Sequence, residues 1–202
     1  MRSRARGPKR LALLTYLLAS GCYLGSAKST TPAELASEGG WEVVEAVPTV
    51  RQVAREDCGA AALAMVLRYW GHSVTGGAIA AASPPVPPQG INAAALRAFA
   101  RRLGMQAFLI QGQQADLERE IHRHRPVLVG VMKRYIVRNY PHYEVVVGIN
   151  RQKQRVLTLD PAHGLRVNGR NGFAAEWADS GQVALIIFPP FPDSPVDANP
   201  RR

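Results

Sequence analysis

The strongest periodic pattern of apolar residues lies in the stretch from Gln52 to Gly71. Apolar side chains recur there at the helical spacing i, i+3, i+4 and i+7, at Leu63, Val66, Leu67 and Trp70. This spacing predicts an amphipathic helix that buries one face. Asp57 is the predicted N-cap, and Gly71 is predicted to end the helix because glycine readily adopts the left-handed conformation found there.

Weaker patterns predict three further helices and a set of strands. The helices are expected over residues 75–82, between the cap Asn92 and Gly104, and over residues 116–124. Runs rich in β-branched and aromatic residues predict strands, at residues 106–110, 126–132, 142–150, 156–160 and 182–188. Helices come first and strands with hairpin-like links follow, so the pattern predicts an α+β fold with an antiparallel sheet.

Both ends of the chain differ from this patterned part. Residues 1–21 join a basic segment to the short apolar run 11–19, which is typical of a signal peptide and too short to span a bilayer comfortably. Residues 22–46 are rich in small and polar residues and predict a tether. The folded domain is expected over residues 47–188, and the proline-rich residues 189–202 are expected to form a disordered tail.

The two cysteines have different surroundings. Cys22 follows Ser20 and Gly21 at the end of the apolar run, which resembles the lipobox at which bacterial lipoproteins are cut and lipidated. We therefore expect an exported protein held to a membrane of a bacterial cell envelope by a lipid on Cys22. Tyr23 rather than Asp follows, which by resemblance favours outer-membrane sorting. The alternatives are a conventional signal peptide cut near Ala27, and a disulfide between Cys22 and Cys58.

The formal net charge of +10 overstates the charge of the folded part. Five basic residues lie in the first ten positions with no acid among them, so removal of this segment lowers the charge by five. After residue 30, no run of Lys and Arg with interleaved aromatic residues appears. The sequence therefore predicts a solvated basic surface and no nucleic-acid partner.

Cys58 stands in the first turn of the predicted helix, a position with chemical consequences. Unpaired backbone N–H groups and the positive end of the helix dipole favour a thiolate there, and the thiolate is the nucleophilic form. Gln52, six residues upstream, carries an amide that can donate to an oxyanion near that sulfur. The alternative is an ordinary buried cysteine without chemistry.

The same stretch resembles the signature of the bacteriocin-processing cysteine peptidases, the double-glycine leader peptidases found as domains of peptide-exporting ABC transporters. That signature reads Q-x5-C-G-x-A-x-L-x-M-V-L-x-Y-x-G. The matching residues here are Gln52, Cys58, Gly59, Ala61, Leu63, Met65, Val66, Leu67, Tyr69 and Gly71. The resemblance implies a papain-like fold in which the helix of the nucleophile packs against an antiparallel sheet.

A thiol peptidase also needs a base, and five histidines are candidates. His142 opens an apolar strand, and a hairpin turning at residues 150–155 is expected to return Asp160 close to it. The resembled family has a similar H-Y-x-V-V-x-G segment followed by D-P, with His142 and Asp160 at the matching places. The resemblance therefore implies His142 as the base and Asp160 as its orienting partner. His163 is a weaker alternative, and the remaining histidines are expected to be uninvolved.

The expected function is that of a cysteine endopeptidase that processes a peptide or protein precursor, after Gly-Gly or Gly-Ala. An amidase or transpeptidase on the same scaffold and a non-catalytic peptide-binding module are the alternatives. The expected partners are an exported precursor and its export system, and no cofactor or metal is expected because the histidine spacings do not form a zinc pattern. The sequence contains neither a G-x-x-x-x-G-K-[ST] phosphate loop nor a second long apolar stretch, so we expect a stand-alone enzyme.

Overall fold

An antiparallel sheet forms the centre of the fold. The computed structural model describes residues 22–87 and 89–190. Within them the sheet has eight strands: β1 (Lys28–Ser29), β2 (Glu42–Val43), β3 (Gln106–Gln111), β4 (Val127–Lys133), β5 (Tyr140–Asn150), β6 (Arg155–Asp160), β7 (Gly164–Gly169) and β8 (Val183–Phe188). Their order is β1-β7-β6-β5-β4-β8-β3, with β2 paired to β5. Every pairing of these strands is antiparallel, which confirms the predicted α+β class.

Helices cover both faces of the sheet. They are α1 (Pro32–Glu38), α2 (Cys58–Tyr69), α3 (Gly76–Ala82), α4 (Ala93–Arg102), α5 (Gln114–His122) and α6 (Arg170–Ala178). Alternate residues of β4 show the two layers. Leu128 joins the core formed with α2 and α4, whereas Val127 and Val129 join the core formed with α5 and α6. Because side chains of a strand alternate between faces, this central strand is apolar on both sides.

Helix α2 lies at the centre of the larger core. All of its residues from Cys58 to Leu67 are buried, not one face alone as the sequence predicts. The helix packs on β5 and β4 and is covered by α3 and α4. Its run of small alanines allows these neighbours to approach from every direction, which the apolar periodicity does not reveal. Gly71 follows its last turn with φ +88°, as predicted.

The hairpin of β5 and β6 brings distant residues together as the sequence predicts. Asn150 pairs with Arg155 at the turn, where the Asn150 Oδ1 accepts a hydrogen bond from the Lys153 N–H at 3.0 Å. A register shift between Val146 and Gly148 gives β5 an extra residue. Strand β6 therefore ends at Asp160, beside the first half of β5.

Residues 22–46 are packed on the domain, so the predicted tether is wrong. Helix α1 begins with a capping box in which the Thr31 N–H donates to Glu34 Oε2 at 2.7 Å and the Glu34 N–H donates to Thr31 Oγ1 at 3.3 Å. Strand β1 pairs with β7, and β2 pairs with β5. Glu38 forms an ion pair with Arg155 at 2.6 Å, which fixes the segment to the β5–β6 hairpin.

The region between β6 and β8 also differs from the sequence prediction. Strand β7 and helix α6 occupy residues 164–178, where the sequence predicts no element, and Trp177 of α6 is buried. The predicted signal peptide and residues 191–202 of the predicted tail lie outside the described residues. Among the described helices, none has the length and apolar character required to cross a bilayer.

Candidate active site

Cys58 is the first residue of α2 and is 4% exposed. A 3₁₀ turn (Arg55–Asp57) leads directly into the helix. Asp57 stands at the predicted N-cap position but does not cap α2, because its Oδ2 accepts a hydrogen bond from the Ala54 N–H at 3.0 Å within that turn. The sulfur thus lies at the positive end of the α2 dipole.

His142 connects Cys58 to Asp160. Its Nε2 lies 2.9 Å from Asp160 Oδ1, and its side chain also interacts with the Cys58 sulfur. Since Nε2 faces the carboxylate, Nδ1 is the ring nitrogen that remains for the sulfur. Burial lowers the pKa of His142, but the interactions with Asp160 and Cys58 outweigh burial and raise this pKa to about 10. An imidazolium beside the sulfur is therefore favoured at neutral pH.

Asp160 is held ionised by several donors. Its Oδ1 also accepts a hydrogen bond from the Ala162 N–H at 2.7 Å, and its Oδ2 lies 2.9 Å from His163 Nδ1. Burial raises the pKa of Asp160, but the hydrogen bonds and charges of its partners hold this pKa well below the usual value. The sequence treats His163 as a weaker candidate base. The structure shows that it shares the carboxylate with His142 while its side chain is 54% exposed.

Gln52 lies beside the same group of residues. Its backbone N–H donates to the Pro161 carbonyl at 3.2 Å, which fixes the Gln52 loop to the turn that follows Asp160. Its Nε2 donates to the Ala54 carbonyl at 3.1 Å. Gln52 Oε1 is buried and has no hydrogen-bond partner among the described residues. In this state the amide points into its own loop, so its predicted role as an oxyanion donor stays a prediction.

Gly59 allows α2, the helix that begins with Cys58, to lie close to β5. A Cβ at this position would lie 3.1 Å from the Tyr143 ring and 3.3 Å from Leu96 Cδ1, so a side chain here would push on both. Burial raises the pKa of Tyr143 to about 12, with a smaller contribution from Cys58. The Cys58-Gly59 pair thus allows α2 and β5 to pack closely enough for Cys58 to lie beside His142.

A buried ion cluster, formed by Lys133, Glu144 and Glu176, adjoins the site and is missed by the sequence patterns. Lys133 Nζ lies 2.5 Å from Glu144 Oε1 and 3.1 Å from Glu176 Oε2. Burial lowers the pKa of Lys133, but the charges of the two glutamates outweigh this and raise it. Glu144 is fully buried two residues after His142. The sequence did contain a signal for this cluster, namely the charged Glu144 inside an otherwise apolar strand.

His142, Glu144 and Asp160 place possible ligand atoms within 4.8 Å of one another, a spacing that suits a metal ion. Each of the three already has a protein partner, since Lys133 pairs with Glu144 and His142 bonds Asp160. The positive charges that a metal would supply are thus provided by the imidazolium and the ammonium group. The expectation that no metal is required stays a prediction.

The other candidate residues bond elsewhere. His72 Nε2 lies 3.2 Å from Met105 Sδ, and His122 Nδ1 lies 2.7 Å from Glu42 Oε1. The His124 carbonyl accepts a hydrogen bond from Tyr69. Cys22 is exposed and free, and Cys58 is buried and free, so the alternative disulfide is not formed. Lipidation of Cys22 stays a prediction.

Solved structures share this fold. The peptidase domain of Streptococcus ComA, a bifunctional ABC transporter of a quorum-sensing pathway, has a TM-score of 0.58 at 24% identity over 70% of this chain and 97% of that chain. A putative C39-like peptidase from Bacillus anthracis has a TM-score of 0.61 at 17% identity over 73% and 97%. A double glycine motif protease from an AMS/PCAT transporter, in complex with the leader peptide, has a TM-score of 0.56 at 24% identity over 71% and 92%.

The comparison with protein families is more direct. No curated protein matches the chain significantly. The model of the Peptidase C39 family, however, matches residues 46–190, which is most of the chain. This range contains α2 to β8 and therefore the Cys58, His142 and Asp160 arrangement. With its papain-like fold, the chain belongs to the Peptidase C39 family of cysteine peptidases.

Proposed function

We propose that this cysteine peptidase is an endopeptidase that processes a peptide or protein precursor with Cys58 as the nucleophile, His142 as acid and base, and Asp160 as the orienting partner. One observation carries the proposal. The His142 ring hydrogen-bonds the Asp160 carboxylate and interacts electrostatically with Cys58, the buried first residue of α2. A nucleophile that bonds a base, itself held by a third group, is the arrangement that covalent acyl transfer requires.

The catalytic cycle follows from these contacts. The Cys58 thiolate attacks the scissile carbonyl carbon, and the new C–S bond leaves the charge on the carbonyl oxygen. As the C–N bond breaks, His142 gives its proton to the departing amine and becomes neutral. Neutral His142 then takes a proton from water, whose hydroxide attacks the thioester and releases Cys58. Asp160 keeps the Nε2 side of the ring bonded throughout, so Nδ1 stays directed at the reacting atoms.

Gln52 is the proposed donor to the carbonyl oxygen, together with the Cys58 backbone N–H. Its amide bonds only to carbonyls of its own loop, one of them at the long distance of 3.5 Å, and its Oε1 is buried without a partner among the described residues. A buried acceptor without a partner costs about 1–3 kcal/mol. Little is therefore lost when the amide rotates toward an oxyanion, where its donors have a stronger acceptor.

The substrate is proposed from the solved relatives and from the leader region. One of the related structures is described as a double glycine motif protease bound to a leader peptide. We therefore propose cleavage after a small pair such as Gly-Gly or Gly-Ala. Because Cys22 follows a signal-like segment and is exposed, we also propose a lipid-anchored enzyme of the bacterial cell envelope, which acts on an exported precursor and works beside its export system.

The two cysteines provide a matched test. Wild type, Cys58→Ala and Cys22→Ser are incubated with a proteome-derived peptide library, and new termini are identified by mass spectrometry. We expect wild type and Cys22→Ser to cut after small residues and Cys58→Ala to be inactive while its circular dichroism is unchanged. Iodoacetamide should inactivate wild type by labelling Cys58. Full cleavage by Cys58→Ala would refute the proposal.

The same library distinguishes the other acyl-transfer chemistries. An added amine such as a glycyl peptide competes with water for the thioester. An endopeptidase gives hydrolysed products as the main species, whereas a transpeptidase gives ligated products in excess. Release of ammonia without peptide cleavage would identify an amidase instead.

A further inference from the structure

A cavity of about 670 Å³ opens beside the proposed catalytic residues. His142 and Asp160 form part of its wall. The rest of the wall comes from four parts of the chain: the loop before α2, the end of β4 with the loop that leads to β5, the turn after Asp160 with β7, and the N-terminal segment that carries Tyr23 and Ala27. We call this space the histidine-side cavity.

The position of the cavity relative to the nucleophile indicates which part of a substrate fits there. Its walls, as formed by the described residues, include His142 but not Cys58. In thioester formation the acyl part of the substrate is bonded to the sulfur, while the departing amine receives its proton from the histidine. A space that borders the histidine and not the sulfur therefore lies on the side of the departing amine.

The charges of the wall define the chemistry that it accepts. Arg55 and Arg138 lie over the Tyr140 ring, with guanidinium carbons 4.6 Å and 4.5 Å from its centre. Among the described residues, neither arginine forms an ion pair with a carboxylate. Lys133 and Arg166 also line the cavity, but Lys133 pairs with Glu144 and Glu176, and Arg166 donates to the Ala27 carbonyl. The two arginines over Tyr140 are thus cations that an incoming carboxylate can pair with.

Apolar contacts surround these cations. Val53 and Val137 also line the cavity, and they are 97% and 76% exposed, respectively. Extended peptides bind through a mixture of main-chain, apolar and charged contacts, and exposed apolar residues beside a cleft are typical of such sites. The wall therefore suits a peptide that carries an acidic side chain next to apolar ones.

Part of the cavity wall comes from the N-terminal segment, which precedes the range matched by the family. Tyr23 and Ala27 precede residue 46, where the match to the family begins. The segment is fixed by backbone hydrogen bonds, from the Leu24 N–H to the Arg134 carbonyl at 2.9 Å and from the Ile136 N–H to the Cys22 carbonyl at 3.2 Å. The Tyr23 ring packs 5.5 Å from the Tyr135 ring. A domain that began at residue 46 would lack this wall.

We propose that the histidine-side cavity binds the peptide segment on the carboxyl side of the scissile bond, and that Arg55 and Arg138 favour an acidic side chain there while Tyr23 forms part of the wall. This inference rests on the proposed function, because it assigns the departing half of the substrate of that same reaction. The part of the precursor that is retained after leader removal is then recognised as well as the leader.

The test reads both sides of each cut in the peptide library. Full-chain wild type, Arg138→Glu, the milder Arg138→Gln, Tyr23→Ala and the control Arg102→Glu are compared. Arg102 is a suitable control because its guanidinium also lies over an aromatic ring, Phe99, at 5.1 Å, and it does not line the cavity. Thermal unfolding of each variant identifies any that fail to fold.

We expect wild type to favour Asp or Glu in the first few positions after the cut. Arg138→Glu should lower kcat/KM for such peptides about tenfold relative to their Asn or Gln counterparts, and Arg138→Gln should lower it less. Tyr23→Ala should broaden the preference after the cut. None of these variants should change the preference before the cut, and Arg102→Glu should match wild type throughout.

The results separate this proposal from the one on which it depends. If wild type cuts peptides and Arg138→Glu leaves the acidic preference after the cut unchanged, the cavity assignment is wrong and the peptidase proposal stands. A loss of preference before the cut would place the leader in the cavity and would also overturn the assignment. If wild type cuts no peptide at all, both proposals fail together.

Discussion

The chemistry proposed for His142 depends on a balance between burial and hydrogen bonding. A buried imidazole without partners loses its proton easily, because burial penalises the charged form. Here two acceptors surround the ring, the Asp160 carboxylate on Nε2 and the Cys58 sulfur, and they reverse that effect. The same carboxylate also bonds His163, so the two histidines share one partner and differ in burial and in access to the sulfur.

This shared carboxylate makes His163 a matched control for His142. His142→Ala should lower kcat by about 10²- to 10⁴-fold, the usual contribution of a positioned acid–base group. His163→Ala should change kcat less than about threefold, because Asp160 keeps its bond to His142 and its main-chain donor. The measurements are kcat and KM on the best library peptide, and the rate of Cys58 alkylation by iodoacetamide. A larger loss in His163→Ala than in His142→Ala would move the base to His163.

The raised pKa of His142 also predicts how stability varies with pH. The pKa is about 6.5 in the unfolded chain and about 10 in the folded protein, so folding favours the protonated ring. This stabilisation is fully present below pH 6.5 and is lost as the pH rises through 10. The difference in free energy of unfolding between wild type and His142→Ala should therefore shrink by at least about 1.4 kcal/mol between pH 6.5 and 10, which corresponds to one pKa unit.

Urea unfolding at several pH values measures this difference, and titrating groups remote from His142 cancel because their surroundings are the same in both proteins. Asp160→Asn removes the charge that supports the imidazolium. When the effect of His142→Ala on the free energy of unfolding is measured in the Asp160→Asn protein, it should therefore change less with pH. A difference that stays constant from pH 6.5 to 10 would show that His142 is not an imidazolium in the folded protein.

Local sequence patterns indicated the positions of Cys58, His142 and Asp160, since one begins a helix, one lies at the start of a strand and one ends the next strand. Contacts between residues far apart in the sequence could not be predicted from these local patterns. Lys133 pairs with Glu176 across 43 positions, and no local spacing encodes that pair. The contact of His163 with Asp160 could not be predicted either, because it depends on the shape of the turn at residues 161–163.

At the scale of elements, the active site depends on how the 3₁₀ turn before α2 is supported. Gly90 approaches this turn from the proline-rich loop with φ +74°, and a Cβ there would lie 3.1 Å from the Glu56 carbonyl oxygen. The same turn carries Arg55 and continues into Cys58, while the Gln52 loop precedes it. The loop between α3 and α4 therefore helps to position the start of the nucleophile helix.

Gly90→Ala tests this support, with Gly104→Ala as the control. Both glycines have positive φ, +74° and +79°, but nothing lies within 4 Å of a Cβ at Gly104. Gly104→Ala should lower the free energy of unfolding by about 1 kcal/mol, the cost of a left-handed alanine. Gly90→Ala should cost more, and it should also lower kcat/KM because Glu56 must move. Equal losses in urea unfolding, with activity unchanged, would contradict the predicted support.

The elements that the sequence analysis missed are those without a long pattern. Strands β1 and β2 have two residues each, too few for any alternation to be visible. Helix α1 has seven residues, and its signal was the capping box Thr31-Pro32-Ala33-Glu34, outweighed by the surrounding polar composition. Helix α6 buries Phe173 and Trp177 but carries two small residues between them, so its apolar stripe is short. Long elements such as β5 were predicted because their apolar patterns continue beyond such interruptions.

At the scale of the whole molecule, the N-terminal segment joins the site to the proposed membrane anchor. Cys22 is exposed, and its carbonyl accepts a hydrogen bond from the Ile136 N–H in the loop that lines the histidine-side cavity. Leu24 and Ile136, adjacent to this bond, are 62% and 65% exposed. A lipid on Cys22 would therefore hold the cavity close to the bilayer surface, without a flexible spacer between anchor and catalytic residues.

Lipidation of Cys22 is tested in cells that express the full chain. Wild type should fractionate with membranes and incorporate labelled palmitate, because a thioether-linked lipid and an amide-linked acyl chain together give stable anchoring. Cys22→Ser should lose both properties and yet cleave soluble peptides at the wild-type rate, since Cys22 is exposed and does not line the histidine-side cavity. Cys58→Ser is the matched control, which should stay on the membrane without activity. A soluble wild-type protein whose first residue lies after Cys22 would refute the anchor and favour a conventional signal peptide.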